Sequence, residues 1–192
     1  MAGFLRFIGI FNTAVWVGGS VFFSFLAGSV FFSPEVKQFT PPPYNGLVAQ
    51  AMLERFFLLH YICGGVALGH LLAEWLVKRG PFPKRPIVFL CILLGLSLLV
   101  GKWISPKLAV WHQQEHEFQI KTEGRPPMIE PKIYSNAVRQ DAKLKFRIWH
   151  VISQTVNLIM LIMLIWRFWK LANPTSSKAQ TYVQTKRNLF SE

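Results

Sequence analysis

The chain has 192 residues, is 52% hydrophobic and has a mean hydropathy of +0.31, which excludes an ordinary soluble domain and points to lipid. Its formal net charge of +12 would suit nucleic acid. The Lys and Arg residues, however, sit mainly beside apolar stretches, so anionic lipid headgroups are the expected counter-charge and no nucleic-acid partner is expected.

In chain order, the first apolar stretch runs from about Phe7 to Phe32. It is too long for a signal peptide and reads as a retained membrane span. Ser20, Ser24 and Gly28 recur every four residues, a small-residue surface on which another helix could pack closely. Ser33 to Glu54 reads as a loop stiffened into an extended connection by Pro34 and the run Pro41-Pro42-Pro43-Tyr44. A second span follows at about 56–77. There His60, Cys63, Ala67, His70 and Glu74 fall within one sector of the helix, and Gly65 and Gly69 make a GxxxG pair on the next. His70 and Glu74, at i and i+4, are placed to share a hydrogen bond. The two cysteines, Cys63 and Cys91, lie in different spans and form neither a disulfide framework nor a paired metal motif, so both read as buried thiols.

The short basic connection KRGPFPKR (78–85) belongs in the cytoplasm by the positive-inside rule, together with both termini. The third span, at about 87–105, continues past Pro106 with helical spacing through LAVWHQQEHEF. Lys121 to Ile133 is a Pro-rich, charged loop, and Tyr134 to Lys145 is an amphipathic lead-in to the last span. Residues 106–145 are therefore expected to form a helical hairpin outside the bilayer. The last span, 146–169, carries 19 uncharged residues between Arg147 and Arg167, positions 148 to 166. At about 1.5 Å per residue that length crosses a bilayer. Residues 173–192, including Ser176, Ser177 and Lys178, form a polar tail expected to be disordered.

The polar residues of the last span are not scattered. Arg147, His150, Ser153, Gln154 and Asn157 share one face, and such a stripe normally faces other helices or a water-filled cavity. His60 lies five residues beyond Arg55 and His150 three beyond Arg147, at similar depth, about 5–8 Å along each helix from its arginine. Three readings are open for this pair. Each histidine satisfies an interhelical hydrogen bond; the two line a path for protons or a polar solute; or they ligate haem b or a divalent metal. His112 and His116 in His112-Gln-Gln-Glu115-His116 match the HxxEH zinc pattern, whose i, i+4 spacing can grip one metal ion. Without a further ligand or a cleft, a solvated helix face is the plainer reading. No phosphate loop, nucleophile elbow or paired CxxC motif is present, so no catalytic residue is assigned.

Trp16-Val-Gly-Gly with Phe22-Phe23, Arg55-Phe56 with His60, Pro106-Lys107-Leu108, and above all Phe146-Arg147-Ile-Trp-His150-Val-Ile-Ser153 resemble the transmembrane protein 205-like family. The Gly/Trp-rich start is also similar to CopD-type copper-resistance membrane proteins, although the methionine-rich ligand set is missing. The first resemblance implies a four-span topology, bacterial relatives and no established activity.

Taken together, the chain is expected to be all-α, an integral four-helix membrane bundle of the bacterial inner membrane. Its role would be that of a non-enzymatic accessory subunit or small transporter-like component, with other membrane subunits or a second copy as partner. A haem- or metal-handling protein using His60 and His150 is the alternative.

Overall fold

The structure, a computed structural model, describes residues 2–41, 43–78, 81–121 and 128–173. The tail with Ser176, Ser177 and Lys178, the centre of the Pro-rich loop (122–127), Arg79-Gly80 and Pro42 lie outside the described residues.

Four long apolar helices dominate. Helix α1 comprises Ala2–Val21, a π-helical turn at Phe22–Ala27 and a last turn at Gly28–Phe31. A short helix, α2 (Pro34–Phe39), starts at Ser33, whose hydroxyl caps the Val36 N–H. Helix α3 spans Tyr44–Lys78. Helix α4 comprises Lys84–Leu98, a second π turn at Leu99–Ile104, and Ser105–Glu115. Helix α5 spans Asn136–Ala172 and is capped by Ser135. The membrane-crossing helices Gly3–Phe31, Tyr44–Val77, Lys84–Glu115 and Asn136–Ala172 have 29, 34, 32 and 37 residues. At 1.5 Å per residue these are about 44–56 Å long, more than the ~30 Å of hydrocarbon. The chain is thus an integral membrane protein whose helices extend beyond the bilayer.

The helices alternate in direction. Trp16 meets His60 and Phe23 meets Phe56, so α1 and α3 are antiparallel. Gly64 packs on Leu94 and Tyr61 on Ser97, which reverses α4 against α3. Ser97 reaches Met160 and Phe89 reaches Trp166, which reverses α5 against α4. Helix α5 closes the ring on α1. Both described ends therefore share one face of the bundle, here the terminal face, and the α4–α5 connection stands at the other, the hairpin face. The outward surfaces are mostly apolar (Phe22, Leu26, Leu58, Ile62, Ile92, Ile159 and Ile162 among the exposed side chains), as lipid contact requires.

Aromatic residues mark the two bilayer boundaries. Trp149 packs edge-on against Trp103 and tilted against Trp111 near the hairpin face, while Trp75, Trp166 and Trp169 sit near the terminal face. Trp149 and Trp166 are 17 residues apart, about 26 Å along the helix and close to one hydrocarbon thickness. Lys107 lies 3.6 Å over Trp103 and Lys170 lies 5.7 Å from Trp166, cations at the level of the headgroups.

Several expectations change. Helix α3 begins at Tyr44, so Ser33–Glu54 is not an extended loop; NGLVAQAMLER winds as helix once the prolines end. The small-residue surface on α1 does not hold together, because Ser20 is buried but Ser24 is exposed. The π turn, with the Gly28 N–H bonded back to the Phe23 carbonyl, inserts a residue and turns Ala27 inward in its place. The second π turn, closed by the Ser105 N–H on the Val100 carbonyl, precedes Pro106. Pro106 brings no N–H and its ring crowds the Lys102 carbonyl, so a widened turn relieves both. Helix α4 stops at Glu115 instead of continuing to Phe118, as Glu117 takes a left-handed backbone (φ 56°). Phe118–Lys121 and Met128–Pro131 then pair as antiparallel strands β1 and β2, with Ile120 opposite Ile129. The expected helical hairpin is therefore two helices joined by a β-hairpin. Cys63 is buried as expected, but Cys91 faces outward.

Two adjacent glycines in α3 have opposite surroundings. A Cβ on Gly64 would overlap Leu94 and come within 3.2 Å of the Trp16 ring, whereas a Cβ on Gly65 would meet nothing within 4 Å. Gly64→Ala should therefore destabilise the bundle by about 1–3 kcal/mol through overpacking. Gly65→Ala should be neutral or gain up to about 1 kcal/mol from helix propensity. Thermal unfolding of the two variants in the same detergent checks the contrast.

Candidate functional site

Polar side chains inside an apolar bundle need partners, and the largest such group sits where all four helices meet. Trp16 on α1 is 0% exposed and His60 on α3 is 1% exposed. Indole Nε1–H can only donate, so its 2.9 Å contact makes His60 Nδ1 the acceptor and places the imidazole proton on Nε2. Ser97 of α4 lies 3.4 Å from the same Nδ1, donates to the Leu93 carbonyl at 2.9 Å and lies 3.3 Å from the sulfur of Met160 on α5. Phe56 and Phe57 stand against the imidazole, with ring centroids 4.5 and 6.3 Å away. His60 Nε2 is buried with no hydrogen-bond partner.

A second group lies nearer the terminal face. His70 Nε2 donates to the Leu5 carbonyl at 2.6 Å instead of sharing a bond with Glu74, and the approach requires Gly9, where a Cβ would sit 2.6 Å from the ring. His70 Nδ1 has no partner. On α5 the inward stripe is Ser153, Asn157, Met160, Leu164 and Arg167. Asn157 Oδ1 and Arg167 Nε are buried without partners.

Of the expected polar-site residues, Ser153 is buried and Asn157 and His150 are half-buried, while Arg55, Arg147 and Gln154 are exposed. His60 and His150 have separate surroundings. The Gln154 amide nitrogen lies 3.0 Å from His150 Nε2 and donates to it, and Phe146 stacks on the ring at 5.5 Å. A ligating histidine offers one nitrogen's lone pair to the metal and donates N–H from the other. His60 presents N–H at its free nitrogen, and His150 Nε2 already accepts from Gln154. The donor set as held therefore does not fit haem or a divalent metal between them.

His112 packs against His116 (4.6 Å between ring centroids), Phe118 and Phe146, and over Gly46 of α3. It thus locks the start of α3 to the hairpin end of α4 and α5. His116 and Glu115 instead line a cleft of about 360 Å³ with Asn136, Arg139, Gln140 and Lys143. Among the described residues no group of three or more His, Cys, Asp or Glu side chains is placed to hold a metal ion.

Sequence reasoning met Trp16 only in a family motif and Arg167 only as the end of a span, and passed over Ser97. Trp16 carried a signal: it lies mid-span, far from the boundaries where tryptophan is favoured, so its N–H needed a buried acceptor. Trp16→Phe should leave His60 Nδ1 without its donor, costing about 1–3 kcal/mol. It should also release the ring from a single tautomer, which nitrogen-15 chemical shifts of labelled histidine will read.

Neither the curated proteins nor the solved structures compared with the chain give a match. A family model described as a domain of unknown function, DUF4149, matches residues 11–117, from the third turn of α1 to just past the end of α4, and takes in Trp16, His60, Ser97 and His112. By this match over more than half of its length, the chain belongs to the DUF4149 family.

Proposed function

We propose that the chain is a non-catalytic, transporter-like membrane component whose working part is the polar interior between α3 and α5. One observation carries this reading: unpaired buried donors and acceptors occur at two levels, in complementary sets. At the first level His60 Nε2–H is a donor, and Asn157 Oδ1, one turn from Met160, is an acceptor. At the second, His70 Nδ1 is an acceptor and Arg167 Nε–H a donor. Both helices run from the hairpin face to the terminal face. His60 and His70 are ten residues apart, as are Asn157 and Arg167, so the levels are spaced by about 15 Å on each. Each unpaired polar atom costs about 1–3 kcal/mol unless a water or polar solute satisfies it. Met160, Leu164, Leu93 and Ala67 form an apolar plug between the two levels. Small hydrogen-bonding species are the chemistry this interior accepts.

Exposed Arg6, Lys84, Arg85 and Lys170 crowd the terminal face, which supports a cytoplasmic placement of that face in a bacterial inner membrane. The FRIWHVIS entry to α5, outside the family match, carries the resemblance to the transmembrane protein 205-like family and the same four-span reading. An accessory-subunit role is favoured by a different observation: Gly65 and Gly69 lie open on the outer side of α3, where a partner helix could approach.

Reconstitution into vesicles loaded with a pH-sensitive dye, with glycerol and urea as polar solutes, tests the transport reading. Passage of protons or solute above protein-free vesicles is expected, with a loss of at least about tenfold in His60→Phe, as removal of one buried hydrogen-bond partner predicts. Folded wild-type protein that leaves vesicles as tight as empty ones would sink the reading.

A further inference from the structure

Arg167 poses a problem of charge that the polar path does not answer. It is 7% exposed, its Nε has no acceptor, and among the described residues no carboxylate pairs with it. A guanidinium does not deprotonate in proteins, so the charge is permanent. An uncompensated charge of this kind in low-dielectric surroundings is strongly destabilising, and intramembrane arginines mark sites that bind an anion or a partner group.

The position narrows the choice. Arg167 follows Trp166, precedes Trp169 and lies five residues from the end of α5, at the terminal-face boundary of the bilayer. That is the level of lipid phosphates. Lys170 over Trp166 and the exposed Arg6, Lys84 and Arg85 give the same face a positive field that draws anions to it. A planar guanidinium with parallel N–H groups matches a phosphate oxyanion in a bidentate fashion that an ammonium cannot.

We propose that Arg167 anchors a phosphate-binding site at the terminal-face boundary, filled by the headgroup of a phospholipid from the adjoining leaflet or by free phosphate. The bound oxyanion neutralises the guanidinium and ties α5 to that leaflet. This assignment stands whether or not a solute crosses the bundle, because its readout is binding.

The test is native mass spectrometry of the delipidated full chain in mild detergent, titrated separately with phosphatidylglycerol and inorganic phosphate. Wild type should take up one phosphate-bearing molecule saturably, and Lys37→Gln, an exposed change at the opposite face, should match it. Arg167→Gln should bind about tenfold more weakly or worse, as loss of a charge-assisted bond implies. Arg167-dependent uptake of phosphatidylglycerol identifies the lipid as the source, and Arg167-dependent uptake of inorganic phosphate alone identifies the free ion. Equal binding of both probes by wild type and Arg167→Gln overturns the proposal. So does an Arg167-dependent co-purifying polypeptide with no phosphate uptake, which would make the counter-charge a partner's carboxylate. Should Arg167→Gln not fold, Arg167→Lys keeps the charge but loses the planar fork, and affinity equal to wild type in that variant overturns the proposal as well.

Discussion

The hydrogen bond from the Trp16 indole to His60 Nδ1 is the constraint on which the rest of the bundle turns. It joins α1 to α3 in the middle of the membrane, where the lipid offers no competing partner. Through Ser97 and Met160 it extends to α4 and α5, so one small group fixes the depth of all four helices relative to one another. Surrounding apolar contacts, with Leu90, Leu93, Val100 and Leu164 fully buried, supply packing but little register. Helices of similar apolar character can slide in lipid; a donor that must meet its acceptor cannot. The same bond settles the chemistry of His60, because an imidazole that accepts at Nδ1 shows N–H at Nε2.

The two π turns sit side by side next to this centre. Phe23, within the first, stacks on Phe56, and Gly101, within the second, packs on Phe57. Both therefore lie one helical turn from His60, toward the hairpin face. A physical cause is evident for the second in Pro106, while nothing in the residues Phe22–Ala27 accounts for the first. Their shared effect is to rotate the outer third of α1 and α4 by about one residue relative to the inner part.

Much of the architecture was legible because membrane physics writes it plainly. Apolar run lengths gave four spans, and the third continues as helix past Pro106, as its spacing implies. The inward sector His60, Cys63, Ala67 and His70 followed from helical period alone, and all four residues are buried. What periodicity misses is a change of period. Ser24 was placed inward by counting in fours through a turn that is not α-helical. It also cannot rank neighbours: His60 and His150 were matched by depth, yet rotation about each helix axis decides their partners, and each found one nearer to hand. Phe118 read as the end of a helix and Lys121 to Ile133 as loop, because strands of four residues carry too few positions for an alternating pattern. Arg167 was passed over because a charge after an apolar run is ordinarily the place where a span ends, and here the helix continues inward-facing past it.

The equal spacing of the two polar levels has a mechanical consequence. Helices α3 and α5 are parallel, and the buried residues Met160 and Leu164 lie between the two polar positions of α5, where any tilt of that helix would pivot. If α5 tilts relative to α3 about that point, the levels above and below it must move in opposite senses, so that one widens as the other narrows. The geometry is that of a seesaw. The two ends of the interior would then be coupled by rigid-body motion alone, without a hinge in either helix.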